Sequence, residues 1–204
     1  MARVGGRNSW IAVPAGVVCA AVVASLTFLA LPMVPVTVTW IGDTLRRATT
    51  AQPAPVPEAS IAQLAVDGAP LDCRGIYPDD LWNELTWRGG SRLAQSVAPP
   101  ATGATSFTDA VTPDVVVTCD WQAADGRIVT TLSRVGADAG PIAQASLAGQ
   151  GFACTASDDS VTCARTEGGV REEHVVRDGL WLASVETAWH PEDYGARLER
   201  NVFR

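Results

Sequence analysis

The chain has 204 residues, a formal net charge of −7 and no lysine. That length suggests one domain plus an additional segment. An acidic chain whose arginines gather nowhere beyond Arg46-Arg47 lacks the basic footprint that a phosphate backbone needs, so nucleic acid is excluded as a partner.

From Asn8 to Gly42 there is no charged residue, and Ile11 to Leu31 reads IAVPAGVVCAAVVASLTFLAL. About 20 mainly apolar residues cross a hydrocarbon core, so residues 10–35 are expected to form one transmembrane helix anchored in the lipid bilayer. Trp10 and Trp40 bracket it as an interfacial belt would. Arg3 and Arg7 precede the run and Arg46 and Arg47 follow it, so flanking arginines alone do not orient it. A short basic tail over residues 1–9 favours a cytoplasmic N-terminus and an outer C-terminus. The alternative is a cleaved signal peptide, but the run exceeds an ordinary signal core and no clean small-residue cleavage site follows. Cys19 follows Val18 rather than the small residue a lipobox needs, and reads as an ordinary helix residue.

Residues 36–69 read as an extended linker. Pro53, Pro55 and Pro57 alternate with small residues, a polyproline-like pattern that builds no core. The domain is expected over residues 70–204. The part of the chain after Gly42 carries 13 basic against 22 acidic residues, a balance of −9.

Pro78, Asp79 and Asp80 suit the first turn of a helix running from Tyr77 to Trp87, which Gly89-Gly90 stops. Val97 to Pro113 reads as a long surface loop and a candidate binding loop. Val115 to Ala123 alternates as a strand with Val117, Cys119 and Trp121 on one face. Asp125-Gly126 marks a hairpin turn into a strand from Arg127, with Ile128, Thr130 and Leu132 on that face. Pro141 to Ala148 reads as a helix. The turns Asp158-Asp159, Gly168-Gly169 and Asp178-Gly179 imply strands near 152–157, 160–166, 170–177 and 180–189. Register about Asp178-Gly179 sets Val176 opposite Trp181 and His174 opposite Ala183. Pro191 to Phe203 is expected to be helical, with Tyr194, Leu198 and Val202 at i+4 spacing. The fold class is α+β: an antiparallel sheet of five to seven strands with two or three short helices on one side.

Four cysteines lie in the outer part. If Asp158-Asp159 is a two-residue turn, Cys154 faces Cys163 in a non-hydrogen-bonded pair, with Cα atoms about 4.5 Å apart, within disulfide reach. That leaves Cys73 with Cys119. No C-x-x-C pair occurs, which disfavours zinc.

No serine-hydrolase, phosphate-loop or calcium-loop pattern occurs, so no catalytic residue, metal ligand or cofactor is assigned and a non-enzyme is expected. Glu172 and His174 share a strand face, as an acid–base pair would; the plainer reading is a hydrogen-bonded pair on a strand. Trp121 and Trp181 read as core. Trp87, beside Arg88-Gly89-Gly90, reads as open surface. Trp87, Glu172 and His174 form the candidate binding surface.

Leu71-Asp72-Cys73 before a short helix, Cys119-Asp120-Trp121 on a strand and the Cys154/Cys163 pair resemble small extracytoplasmic domains of unknown function in membrane-anchored proteins and lipoproteins of high-GC Gram-positive bacteria. The lysine-free composition agrees, and the resemblance spans residues 70–203. The apolar segment, its short N-terminal tail and the four cysteines set the expected location at the cell membrane with the C-terminal domain outside, where an envelope protein or glycan is the expected partner. The resemblance carries over no functional residues. The readings that follow are non-catalytic ligand binding, an envelope enzyme using Glu172 and His174, or a structural or sensory accessory of a membrane complex.

Overall fold

The structure is a computed structural model that describes residues 9–30, 59–157 and 159–204. The chain divides into two compact units, Met1–Val56 and Pro57–Arg204.

In the first unit, helix α1 spans Ser9–Ala30 and contains Pro14. Among its described side chains, Val13, Val17, Val18, Val22, Val23, Leu26, Phe28 and Leu29 are all exposed. The expected transmembrane helix over residues 10–35 is not met as such. The side chains described continuously run only from Gly16 to Leu29, and among the described residues no helix is long and apolar enough to cross a membrane. Residues 31–35, and most of the expected linker, lie outside the described residues.

The second unit begins at Pro57, earlier than the expected boundary at residue 70. Its first helix, α2 (Ile61–Val66), is capped by the Ser60 side chain, which accepts the Gln63 N–H, and it buries Ala65 in the core. Helices α3 (Cys73–Ile76) and α4 (Asp79–Thr86) follow. The Asp72 carboxylate caps α3 by accepting the Gly75 N–H at 2.8 Å.

Seven strands form one antiparallel sheet: β1 (Arg92–Ser96), β2 (Asp114–Ala123), β3 (Gly126–Arg134), β4 (Ala153–Ala156), β5 (Ser160–Glu167), β6 (Val170–Arg177) and β7 (Leu180–Thr187). The spatial order is β1-β2-β3-β7-β6-β5-β4. Two meanders, β1 to β3 and β4 to β7, therefore join through the β3–β7 pair. Helix α5 (Thr105–Val111) precedes β2, α6 (Ala139–Gly149) carries the chain to the far edge at β4, and α7 (Tyr194–Val202) closes the described chain.

Helices cover both faces of the sheet rather than one, and among the described residues of this unit there are six of them, not two or three. The reason lies in the strand pattern: β6 and β7 are buried on both sides. Val175, Leu180 and Leu182 face one core with Val117, Cys119, Trp121, Ile128 and Leu132, under α2, α3, α4 and α7. Val176, Trp181 and Ala183 face the other, with Phe107 of α5 and Ala143 and Leu147 of α6. A strand buried on both faces loses its polar alternation.

The expected register about Asp178-Gly179 holds, and the expected turn at Gly168-Gly169 is present. Glu167 pairs with Val170, and Val176 pairs with Trp181. Residues 168, 169, 178 and 179 all have positive φ, as a hairpin turn of this length requires. The β2–β3 turn differs. Ala123 pairs with Gly126, so Ala124 and Asp125 make the turn and Gly126 belongs to the strand. A Cβ on Gly126 would lie 2.5 Å from the Thr187 carbonyl oxygen, so the glycine permits a close backbone approach. The shift is two residues in register, which preserves faces: Cys119 opposes Thr130 rather than Leu132, and Trp121 opposes Ile128 rather than Thr130.

Both expected disulfides are present. Cys73–Cys119 ties the start of α3 to β2, and Cys154–Cys163 joins directly opposed residues of β4 and β5, with Cα atoms 4.0 Å apart.

Candidate functional site

Glu172 and His174 project from β6 toward the α5–α6 side, where His174 stacks beside Phe152 and Trp181. His174 is fully buried and Glu172 is 6% exposed. The two side chains do come together, with His174 Nε2 at 3.6 Å from Glu172 Oε2.

Their surroundings fix how they are used. The Trp181 indole N–H donates to His174 Nδ1 at 3.3 Å. In the neutral ring the proton then sits on Nε2, which faces Thr102 Oγ1 at 3.3 Å. The Thr102 hydroxyl donates to Glu172 Oε2 at 2.6 Å, and the Gly103 N–H donates to the same oxygen at 3.0 Å. Arg165 Nη2 donates to Glu172 Oε1 at 3.1 Å while its guanidinium lies 4.3 Å over the Phe152 ring. Burial pushes the Glu172 carboxyl up, but hydrogen bonds from His174, Thr102, Arg165 and the Gly103 backbone outweigh it and hold the group at about 2.

The result is a closed chain of hydrogen bonds from Trp181 through His174 and Thr102 to Glu172. Each named donor has an acceptor, and each is committed to a neighbour within the fold. Chemically this arrangement pins a segment. Thr102 and Gly103 belong to the expected 97–113 loop, and Glu172 holds them against the sheet, just ahead of α5 and its fully buried Phe107. The stretch is thus half helix and anchored, not a free surface loop. Four open depressions on the second unit, from about 200 to about 760 Å³, are lined by other residues; none of them includes Glu172, His174 or Trp87.

Trp87 stands apart from this pair. It follows α4, whose Leu81 and Leu85 pack into the opposite core, and it is 83% exposed. The sheet separates it from the side on which Glu172 and His174 lie, so the three do not make one surface. Next to it, Arg88 pairs with Asp125 across the hairpin tip and lies 5.7 Å over the Trp189 ring. That exposed pair lowers the Asp125 carboxyl and raises Arg88. Trp121, Trp181 and Trp189 are buried.

Sequence reasoning did not single out Thr102, Gly103, Phe152 or Arg165. Arg165 was findable, because the Gly168-Gly169 turn sets it directly opposite Glu172. Thr102 lies 70 residues from its partner and carries no local signal. Among the described residues no cluster of His, Cys, Asp and Glu has the geometry to hold a metal ion.

No family model matches the sequence, and no curated protein does. Among solved structures, a GTP binding regulator from Thermotoga maritima aligns over 62% of this chain and 87% of its own, at 13% identity and a TM-score of 0.35. A likeness of that size carries no argument about fold or activity.

Proposed function

We propose that this chain is a single-pass membrane protein whose disulfide-bonded domain lies outside the cytoplasm and binds an envelope protein or glycan without catalysing a reaction. The observation that carries the anchor is α1. It has 22 residues and no Asp, Glu, Lys, Arg or His among them. The uncharged stretch from Asn8 to Gly42, within which α1 lies, supplies the about 20 mainly apolar residues that cross a hydrocarbon core. Its described apolar side chains are exposed, and a helix apolar all round needs an apolar surrounding. The two disulfides favour an oxidising compartment for the domain.

Trp87 is the proposed contact. A tryptophan left 83% exposed supplies a large apolar surface with a polar N–H, the side chain that dominates binding surfaces. Glu172 and His174 do not support the enzyme reading, because their hydrogen bonds are spent within the fold. The test is photo-crosslinking in intact cells from a benzophenone side chain placed at position 87, with a matched chain carrying it at Asp109. A discrete crosslinked species containing a second component, formed from 87 and not from 109, is expected. Crosslinks to the chain alone, or equal crosslinking from both positions, would remove Trp87 as the contact.

A further inference from the structure

The segment Ala188–Asp193 links β7 to α7 and carries the charge arrangement that the site above does not use. Ala188 and Asp193, at its two ends, have φ of 58° and 50°, left-handed values that non-glycine residues seldom adopt. Such backbone persists only where surrounding contacts hold it. The far end of the segment is held by Arg197, which donates to the Glu192 and Asp193 carbonyls at 3.4 and 2.9 Å, and three contacts hold the remainder. The Ala188 N–H donates to the Gly169 carbonyl at 3.2 Å. Trp189 is buried in the core. The His190 ring meets the Glu186 carboxylate, Nδ1 to Oε2, at 3.3 Å.

Glu186 is fully buried, and its other oxygen, Oε1, has no hydrogen-bond partner. The groups facing it are few. From β6, Arg171 lies directly opposite, with Nε 4.0 Å from Oε1. Arg171 is shared, since its Nη2 pairs with Glu173 at 3.3 Å. From the segment comes His190, and from α7 comes Tyr194, whose hydroxyl is held by Thr130 and Tyr77 and stays protonated because burial raises it. From β3 the neighbour is Ile128, which carries no charge.

The charge count follows. Arg171 and Glu173 cancel. Glu186 and His190 together are neutral when the pair holds one proton beyond the ionised carboxylate and neutral ring. Remove that proton and a net negative charge remains, on a buried carboxylate whose one cation is already engaged. Burial accordingly raises the Glu186 carboxyl above the ordinary range, against the pull of Arg171 and His190.

We propose that Glu186 and His190 form a one-proton latch that docks the Ala188–Asp193 strap on the sheet, and that losing this proton loosens the strap. The sign is fixed by linkage. A carboxyl raised in the folded state binds its proton more tightly there, so docking weakens as pH rises through the folded value. The strap joins the last strand to α7, so its release would alter how α7 is held.

The test is amide hydrogen exchange on the full-length chain in detergent micelles from about pH 5 to about pH 9, corrected for intrinsic rates. Protection of residues 188–194 should fall about tenfold in the wild type, the scale of one uncompensated buried group. Glu186→Gln, which is neutral at every pH, should keep its protection across the range. Carboxyl carbon shifts of Glu186 in the wild type give a second readout, and their midpoint should match that of strap opening. Flat protection in the wild type, an unchanged pH dependence in Glu186→Gln, or two unrelated midpoints would each overturn the latch.

Discussion

The Trp181 indole donates to His174 Nδ1 at 3.3 Å, between two residues with no solvent exposure. That contact sets the His174 tautomer and converts a candidate acid–base pair into part of the scaffold. An imidazole whose Nδ1 is occupied by a buried indole, and whose Nε2 is turned to Thr102 and Glu172, has no face left for a substrate. His174→Leu should therefore cost about 2–4 kcal/mol in urea unfolding, because the Trp181 N–H loses its acceptor in a dry site and the packing changes. Nitrogen shifts of the His174 ring should report Nδ1 as the unprotonated atom. A protonated Nδ1 would contradict the arrangement.

Glu172 makes the acid side of stability legible. Its folded value of about 2 lies below the ordinary 4.5. A lowered carboxyl contributes stability that is fully present above the unfolded value and is lost as pH falls through the folded one. Unfolding free energy should thus drop between about pH 4.5 and about pH 2, and Glu172→Gln should flatten part of that drop. At neutral pH the same substitution should cost about 1.5–3 kcal/mol, the range for hydrogen bonds to a charged group. It should also free the Thr102–Gly103 segment, measured as faster amide exchange there. Unchanged acid sensitivity in the variant would assign the drop to other carboxylates.

The two disulfides differ in the chain they close. The sequence separations are 46 for Cys73–Cys119 and 9 for Cys154–Cys163. On chain entropy alone the first stabilises by about 4 kcal/mol and the second by roughly 2.5 kcal/mol. Paired alanine substitutions should reproduce that order in denaturant midpoints, with Cys73→Ala/Cys119→Ala the more damaging. The reverse order would show that native-state packing, not loop closure, sets their worth.

Gly126 and Gly149 give a contrasting pair. A methyl group on Gly126 would sit 2.5 Å from the Thr187 oxygen and 2.5 Å from Trp189 Cβ, while one on Gly149 meets nothing within 4 Å. Gly126→Ala should cost about 1–3 kcal/mol through backbone displacement. Gly149→Ala, at the end of α6, should be neutral or stabilise by up to about 1 kcal/mol. Thermal midpoints of the two variants measure this directly, and equal midpoints would contradict the close approach.

Much of the sheet was readable because its turns are short. Gly168-Gly169 and Asp178-Gly179 fix pairing to the residue, and Asp158-Asp159 placed Cys154 across from Cys163. The same logic slipped at Asp125-Gly126, where a glycine kept for a close approach looks like a turn glycine. Strand β1, Arg-Leu-Ala-Gln-Ser, went unread because it is an exposed edge with almost no apolar alternation. Helix α5 was hidden in proline- and threonine-rich sequence, with Phe107 as its single anchor. Helix α2 lay inside what composition marks as linker, and only its packing, through Ala65, makes it part of the domain. In the site, the Glu172–His174 face was legible from period two. The partner that defines it, Thr102, was not, because nothing local connects residues 70 apart.

The central claim is the anchor and the side on which the domain lies. Alkaline phosphatase fused after Arg204 tests both at once, because that enzyme becomes active only where its disulfides form. The fusion should be active in intact cells, with the activity retained in membranes washed with alkaline carbonate. An inactive fusion, or activity that washes into the soluble fraction, would contradict the account.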